Sequence, residues 1–330
     1  MIILNYLIFL ERILMPTTAT AHTNIAFIKY WGKKDARLNL PTTSSLSLTL
    51  SQFYTTTTVT QNTDKDQLVL NGELADPTRI HHFLNTIRDI LGDFPAVTVT
   101  SENHVPTSAG LASSASSFAA LTGAVTREMG FDLSNQSLSR LARRGSGSAS
   151  RSFYSHFAIW HAGMDDASSF AESLNAPDMP IALVVAEVST SAKKVSSSDG
   201  MQRAITSPNY DDWLNRSATQ FMDMQSAIQQ SDIEKIGTLA EENALAMHAL
   251  NLTARHKPFT YFTQETQQIL ALVSDLRRQG ILAFATMDAG PNVKIITTLN
   301  DAPKIVTALH SALPYIHLET ATSGSGITYD

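Results

Sequence analysis

The 330-residue chain contains no cysteine. Disulfides, thiol nucleophiles, redox dithiols and zinc–thiolate centres are thereby excluded. Charge is sparse, with 16% of residues Asp, Glu, Lys or Arg and a net charge of −6 at pH 7. A negative chain of this kind is not built to hold nucleic acid. The 10 histidines form no His-Glu-x-x-His pair, which removes the zinc-protease helix. The pair His81-His82 falls in an expected helix and reads as surface polarity. No Gly-Lys-Ser/Thr follows a glycine loop, and no dinucleotide glycine spacing occurs. Internal repeats and low-complexity linkers are absent as well. The apolar run 1–14 is too short to span a bilayer and lacks the cationic start and cleavage site of a signal peptide. No other stretch reads as a membrane span, and the expected location is the cytoplasm.

With 43% hydrophobic residues, the chain reads as one large or two intimate globular domains. Its cations are unevenly placed. Eight of the 24 Lys and Arg residues lie in 29–34, 143–151 and 193–194. Concentrated positive charge in a negative protein suits a compact anion.

Three segments sharpen that reading. Thr107-Ser-Ala-Gly-Leu-Ala-Ser-Ser-Ala-Ser-Ser117 joins a strand near 96–101 to a helix beginning near 111. The first N–H groups of a helix have no internal partner, and the helix dipole favours an anion there. Gly110 and the small residues allow close approach, and Ser108, Ser113 and Ser114 offer hydroxyls or a metal ligand. The same loop is equally a serine-capped helix start. In the second segment an apolar strand, Ile25–Ile28, ends in Lys29-Tyr30-Trp31-Gly32-Lys33. Lysines beside aromatic walls suit an anionic small molecule, although a solvated Lys pair beside core aromatics has the same pattern. The third, Arg143-Arg-Gly-Ser-Gly-Ser-Ala-Ser-Arg151, offers backbone donors and a guanidinium fork, against the alternative of a linker.

The pattern predicts a mixed α+β chain. Strands are expected at 46–60, 181–188, 283–287, 293–298 and near His317. Asn71-Gly72 marks a hairpin. Helices are expected at 78–91, 111–128, 134–143 with Ser134 as cap, 147–160, 209–228, 231–250, 259–279 and 301–312.

Together, Asn24-Ile-Ala, Lys29-Tyr-Trp-Gly-Lys33, Leu40-Pro-Thr-Thr-Ser-Ser-Leu-Ser, Pro106 to Ala115, Arg144-Gly-Ser-Gly-Ser-Ala with Arg151, Lys194-Val-Ser-Ser-Ser-Asp-Gly-Met201 and Thr286-Met-Asp-Ala-Gly-Pro-Asn292 resemble the GHMP small-molecule kinase superfamily. Within it they resemble the diphosphomevalonate decarboxylase family, in order, over residues 22–292. The resemblance implies a GHMP kinase fold: an N-terminal ribosomal protein S5 domain 2-like unit, 15–180, and a C-terminal ferredoxin-like sandwich, 181–330, with the active site in the cleft between. Family chains begin shortly before Asn24-Ile-Ala, so Met15 is read as the start and 1–14 as an extension.

The implied reaction uses ATP and Mg2+ to convert mevalonate 5-diphosphate to isopentenyl diphosphate by way of 3-hydroxyl phosphorylation, in the mevalonate pathway of isoprenoid biosynthesis. A homodimer is also implied. Asp288, Lys29 and Arg151 take the catalytic roles. Tyr30, Trp31, Gly32, Lys33, Arg79, Ser146, Gly147, Ser148, Ala149, Ser150, Ser197, Ser198 and Met201 take the substrate. Ser101, Asn103, Ser108, Gly110, Leu111, Ala112, Ser113 and Ser114 take the nucleotide, with magnesium on the phosphates and Ser113 as a candidate ligand. His104 stands where the family often has Asn, which bears on the adenine pocket. Rival readings are a mevalonate-type 3-kinase, a decarboxylase of the monophosphate, and a non-catalytic binding scaffold. The Lys29–Asp288 pair and the Lys/Ser-rich segments argue for the full reaction on the diphosphate, and the presence of the phosphate-loop glycine and of Asp288 argues against the scaffold.

Overall fold

The computed structural model describes residues 16–62, 64–105, 113–189 and 194–330. The extension 1–14, Met15 and the phosphate-loop residues Ser108, Gly110, Leu111 and Ala112 lie outside the described residues. In chain order the first half contains β1 (Thr17–Ile28), β2 (Lys33–Asp35), β3 (Leu40–Pro41), β4 (Ser45–Gln61), β5 (Gln67–Leu70), β6 (Glu73–Ala75), α1 (Thr78–Leu91), β7 (Val97–Asn103), α2 (Ser113–Glu128), α3 (Asn135–Gly145), a 3₁₀ turn (Gly147–Arg151), β8 (Phe157–Trp160) and β9 (Ala171–Ser173). The second half contains β10 (Ile181–Glu187), α4 (Ser197–Ala204), α5 (Tyr210–Gln229), α6 (Ile233–Leu252), α7 (Gln264–Arg278), β11 (Phe284–Met287), β12 (Val293–Thr298), α8 (Ala302–Ala312), β13 (His317–Thr322) and β14 (Thr328–Tyr329).

The first sheet has the order β14-β1-β4-β7-β5-β6, with β8 and β9 extending from β4. The last strand returns to pair with the first, Ala19 opposite Tyr329. β4 is 17 residues long and serves two partners in turn. Its beginning pairs with β8, Ser45 opposite Trp160, and its end with β7, Thr55 opposite Asn103. The Asn71-Gly72 turn has positive φ at both residues, as a type I′ hairpin requires. α2 is rich in Ala, Ser and Gly, so it can lie close against β1 and β4.

The second sheet, β11-β12-β10-β13, is antiparallel throughout. β10 is buried on both faces with a period of two. Leu183 and Val185 join a core with Met224 of α5 and Ile236 of α6. Ala182, Val184 and Ala186 join another with Ile269 of α7 and Ile305 of α8. The first of these cores also takes Ile25, Phe27 and Ile28 from β1. One apolar mass therefore locks the two sheets together, each fully buried large side chain contributing roughly 1.5–3 kcal/mol. This junction fixes where Lys29, the next residue, must emerge.

One expected element needs correction. Residues 147–160 are not one helix but a 3₁₀ turn followed by β8. The apolar run from Phe153 to Trp160 is too short for periodicity to separate strand from helix, and pairing with β4 decides it. His81 and His82 lie on the exposed face of α1, as the sequence suggests, and His81 also has a partner. Its Nδ1 lies 2.7 Å from Oδ2 of Asp66. Asp66 also accepts from both Arg88 guanidinium nitrogens at 2.9 and 2.8 Å and from the Val97 N–H at 3.0 Å. That carboxylate ties α1 to β7.

Candidate active site

Lys29 leaves β1 inside the protein, 2% exposed. Its backbone N–H donates to Oδ1 of Asn243 on α6 at 2.8 Å, and its ammonium donates to the Ala26 carbonyl at 2.8 Å. The same ammonium donates to Oδ1 of Asp288 at 2.8 Å. Asp288 follows β11, where Ala289-Gly290-Pro291 turns the chain toward β12. Lys294 on β12 brings a second ammonium to within 3.5 Å of Oδ2. Burial alone would raise the proton affinity of Asp288. The charge of Lys29, then that of Lys294, outweighs burial and holds the carboxyl well below the usual carboxylate range. Burial pushes the proton affinity of both lysines down, against the attraction of Asp288.

Arg151 ends the 3₁₀ turn and is also buried. Its Nε donates to Oδ1 of Asn24 at 3.1 Å and to Oγ of Ser47 at 2.9 Å, and Nη1 donates to Oγ of Ser45 at 2.5 Å. Burial lowers its pKa to about 10, with Asp288 opposing that effect. Asn24 in turn donates to the Ser148 carbonyl and to Oγ of Ser152, both at 2.9 Å. Four charged groups from three distant segments, Lys29, Arg151 and the pair Asp288 and Lys294, thus meet where the two sheets join.

Aromatic residues wall this centre. Tyr30 packs edge-on against Trp160 at 4.7 Å, and its hydroxyl donates to Asn39 at 3.3 Å. Trp31 donates through Nε1 to Asn251 at 3.1 Å, and its carbonyl accepts from the Tyr210 hydroxyl at 3.1 Å. Gly32 has φ +134, and a Cβ there would lie 1.8 Å from the Tyr210 oxygen. Only glycine fits that turn. Lys33 donates to Oγ of Ser198 at 3.3 Å, linking the first half to the start of α4. Ser196 caps α4 by accepting from the Asp199 N–H at 3.1 Å. Ser197 lies in that first turn, and Met201 is buried with Trp31 and Tyr261.

On the other side, Ser146 shares hydrogen bonds with Ser114 at 3.1 Å and Ser148 at 3.3 Å. This hydroxyl chain joins the beginning of α2 to the 3₁₀ turn. A Cβ on Gly147 would lie 2.8 Å from ring atoms of both Trp160 and Tyr30. Ala149 is buried, and Ser150 donates to the Gly147 carbonyl at 2.7 Å. Arg79 lies over the Phe118 ring at 4.8 Å. Ser113 opens α2, its carbonyl accepting from Ser117 at 2.8 Å. Ser101 shares a hydrogen bond with Thr57 at 3.0 Å inside the sheet, and Asn103 accepts from Thr55 at 3.0 Å. His104 stacks on Tyr54 at 4.5 Å.

The structure also redirects two cations. Arg143 and Arg144, counted by sequence among the anion-binding charges, both face Asp166. Conversely, Lys294, Asn243 and His248 went unnoticed in the sequence. Lys294 did leave a trace: one lysine inside the apolar strand Val293-Lys-Ile-Ile296. His248 on α6 is fully enclosed, and burial, then the Lys29 charge, pushes its pKa down to about 3. Asn243 and His248 sit in a long helix whose pattern gives no hint of them.

Comparison with known proteins decides the family. Residues 21–171 match the diphosphomevalonate decarboxylase-like N-terminal domain, and residues 182–327 match the mevalonate 5-diphosphate decarboxylase C-terminal domain. The chain belongs to the diphosphomevalonate decarboxylase family. The diphosphomevalonate decarboxylase of Candida albicans is 33% identical over 345 residues, covering 94% of this chain and 93% of its own. The mevalonate diphosphate decarboxylase of Staphylococcus aureus superposes with a TM-score of 0.92 at 40% identity, covering 96% of this chain and 98% of its own. The protein MDDEF, solved in complex with MVAPP, AMPPCP and magnesium, gives a TM-score of 0.91 at 42% identity, covering 96% and 99%. The GHMP kinase fold expected from the sequence is the one found in these decarboxylases.

Proposed function

We propose that this chain decarboxylates mevalonate 5-diphosphate to isopentenyl diphosphate at the expense of ATP. The observation that carries the reading is the 2.8 Å contact between Lys29 and Asp288, which brings together residues 259 positions apart. Hydroxide is a poor leaving group, so the tertiary 3-hydroxyl must first be phosphorylated. Asp288 accepts the hydrogen bond of that hydroxyl and aligns its oxygen with the γ-phosphorus. The new P–O bond forms as the bond to ADP breaks, the hydroxyl proton passes to an oxygen of the transferred phosphoryl group as the transfer completes, and Lys29 offsets charge on that group. Departure of the 3-phosphate takes the C3–O electron pair. The C–C pair of the carboxylate becomes the new double bond as carbon dioxide leaves. Arg151 faces the carboxylate; Lys33, Ser197 and Ser198 face the diphosphate.

The nucleotide phosphates lie against α2 and its preceding loop in this reading. Among the described residues no group of three or more His, Cys, Asp or Glu could hold a metal. Magnesium would be held mostly by the nucleotide phosphates, with Ser113 as the candidate protein ligand, and would offset phosphate charge there. The division near residue 180, the homodimer and the cytoplasmic location belong to the same proposal; sedimentation tests the second. Purified protein given ATP, magnesium and mevalonate 5-diphosphate should release ADP and carbon dioxide in equal amounts. ADP without carbon dioxide would make it a 3-kinase, and preference for the monophosphate would overturn the substrate.

A further inference from the structure

We propose that Lys294 is a positioning residue: it holds Oδ2 of Asp288 while Lys29 holds Oδ1, and so fixes the plane of the carboxylate toward the reacting hydroxyl. The proposal rests on the function just assigned to Asp288.

Lys294 sits within β12, opposite Thr286 of β11 and Val185 of β10. It is 1% exposed, between Val293 and Ile295, both of which are fully buried. An aliphatic residue would fill this place without the cost of desolvating an ammonium. The ammonium is compensated by Asp288 at 3.5 Å and by the charge of the buried Glu187 on β10. The other groups acting around Asp288 are Lys29 at the end of β1, Arg151 from the 3₁₀ turn and His248 from α6. His248 stays neutral at working pH, its pKa pushed down to about 3 chiefly by burial.

The choice of lysine matters. A guanidinium fork grips both carboxylate oxygens at once, whereas an ammonium is a compact point charge. Lys29 hydrogen-bonds Oδ1 at 2.8 Å, while Lys294 stands at ion-pair distance, 3.5 Å, from Oδ2, which accepts no hydrogen bond among the described residues and keeps its lone pairs for a third donor. That donor is the substrate hydroxyl. A carboxylate so held stays ionised and directed through turnover. It acts by alignment, since two adjacent cations weaken it as a base. Lys29 and Lys294 come from different sheets, so the carboxylate is oriented only when the two halves are docked.

Lys294→Met in the full chain removes the charge at similar length. The first readout needs no substrate: carbon-13 NMR of carboxyl-labelled aspartate in the free enzyme, with the Asp288 signal identified by its loss in Asp288→Asn. Asp288 should titrate at higher pH in Lys294→Met than in the unsubstituted enzyme. In turnover, kcat should fall about 10²-fold, the scale of a misplaced reacting group, with KM for either substrate moved less than about threefold. Added to Asp288→Asn, Lys294→Met should cost nothing further in kcat. An unmoved Asp288 titration would overturn the proposal, as would equal losses with and without Asp288. Should the Met variant not fold, Lys294→Gln carries the same titration. An unsubstituted enzyme that ignores mevalonate 5-diphosphate would unseat the substrate assignment, while the titration still decides the role of Lys294.

Discussion

Two carboxylates in this molecule are ringed by cations, and they are built differently. Asp166 takes three arginines, Arg140, Arg143 and Arg144, all from α3 and at most 26 residues away. Asp288 takes two lysines, one of them 259 residues away. The arginines also grip backbone: Arg140 donates to the Asp166 carbonyl, and Arg143 to that of Ser169. Their forks fill the acceptor sites around one loop and staple it to α3. The lysines at Asp288 supply charge without filling its acceptor sites. A cluster made to hold a loop uses permanent planar donors from a single helix; a centre made to receive a substrate uses point charges gathered across the fold.

The sharpest way to break this comparison is at Asp288. Asp288→Asn should keep shape and lower kcat by about 10²–10⁴-fold, the scale of lost acid–base or aligning help. KM should move little, because the proposed function has other residues hold the nucleotide and diphosphate. ADP and carbon dioxide should fall in parallel. Accumulation of a 3-phosphorylated intermediate would place Asp288 after phosphoryl transfer and overturn its assignment.

Arg151 tests whether the active centre also contains an arginine that works as a fork. It already donates to Asn24, Ser47 and Ser45. An ammonium has three donors but all on one nitrogen, so it cannot reproduce bonds made from the separate Nε and Nη1 of a planar fork. Arg151→Lys should therefore lose nearly as much kcat/KM as Arg151→Ala, by roughly 10–100-fold for one to two charge-assisted hydrogen bonds. Kinetics like those of the unsubstituted enzyme would reduce Arg151 to a general positive charge.

The two carboxylates were also unequally legible in sequence. Spacing alone makes Asp288 a turn-capping residue at the end of a strand; only the resemblance of Asp-Ala-Gly-Pro-Asn to the family gives it a catalytic role. The end of an apolar strand marks Lys29 only as a cation suited to an anion; its pairing with Asp288 is implied by the resemblance and seen in the 2.8 Å contact. Lys294 was passed over: alternation assigns a strand residue to a face but does not say that the face looks into a site. Asp166 was missed for another reason. Nothing in Met164-Asp-Asp-Ala-Ser marks a long-range partner, so the cations of α3 were assigned to an anion that they do not face in the structure. Helix extents were read well where caps exist, as at Ser134, which accepts from the Ser137 N–H at 3.3 Å. The error at 147–160 came where pairing with β4, a non-local term, outweighed local pattern.

Asp166→Asn probes the structural cluster. Removing one partner of a fully buried ion pair costs about 3–5 kcal/mol. Asp166 is 35% exposed, so solvent screening brings the expected loss to about 1–3 kcal/mol. Thermal melting should show it, with kcat of the folded enzyme unchanged. The loss should depend on pH. Burial opposes ionisation of Asp166, but the arginines hold its carboxyl below the usual range. Its stabilisation is thus complete above the unfolded value near 4 and fades as pH falls through the lower folded value. The gap between the two proteins should close in acid; a gap that widened in acid would give Asp166 the opposite role.

The smallest effect should come from Arg140, which separates the fork from its burial. Arg140 donates to Asp166 at 2.8 Å with both side chains 35% exposed, whereas Arg143 is wholly enclosed. An exposed ion pair gains little, because water screens it and two long side chains lose freedom. Arg140→Gln should therefore cost less than about 1 kcal/mol. Arg143→Gln leaves Asp166 with weaker support and vacates a packed interior position, so its cost should be several times larger. Melting the two variants side by side under one set of conditions makes the comparison. Equal losses would mean that hydrogen-bond geometry, not burial, sets the strength of this cluster. Asp166 and Asp288 would then differ only in being held by planar forks or by point charges.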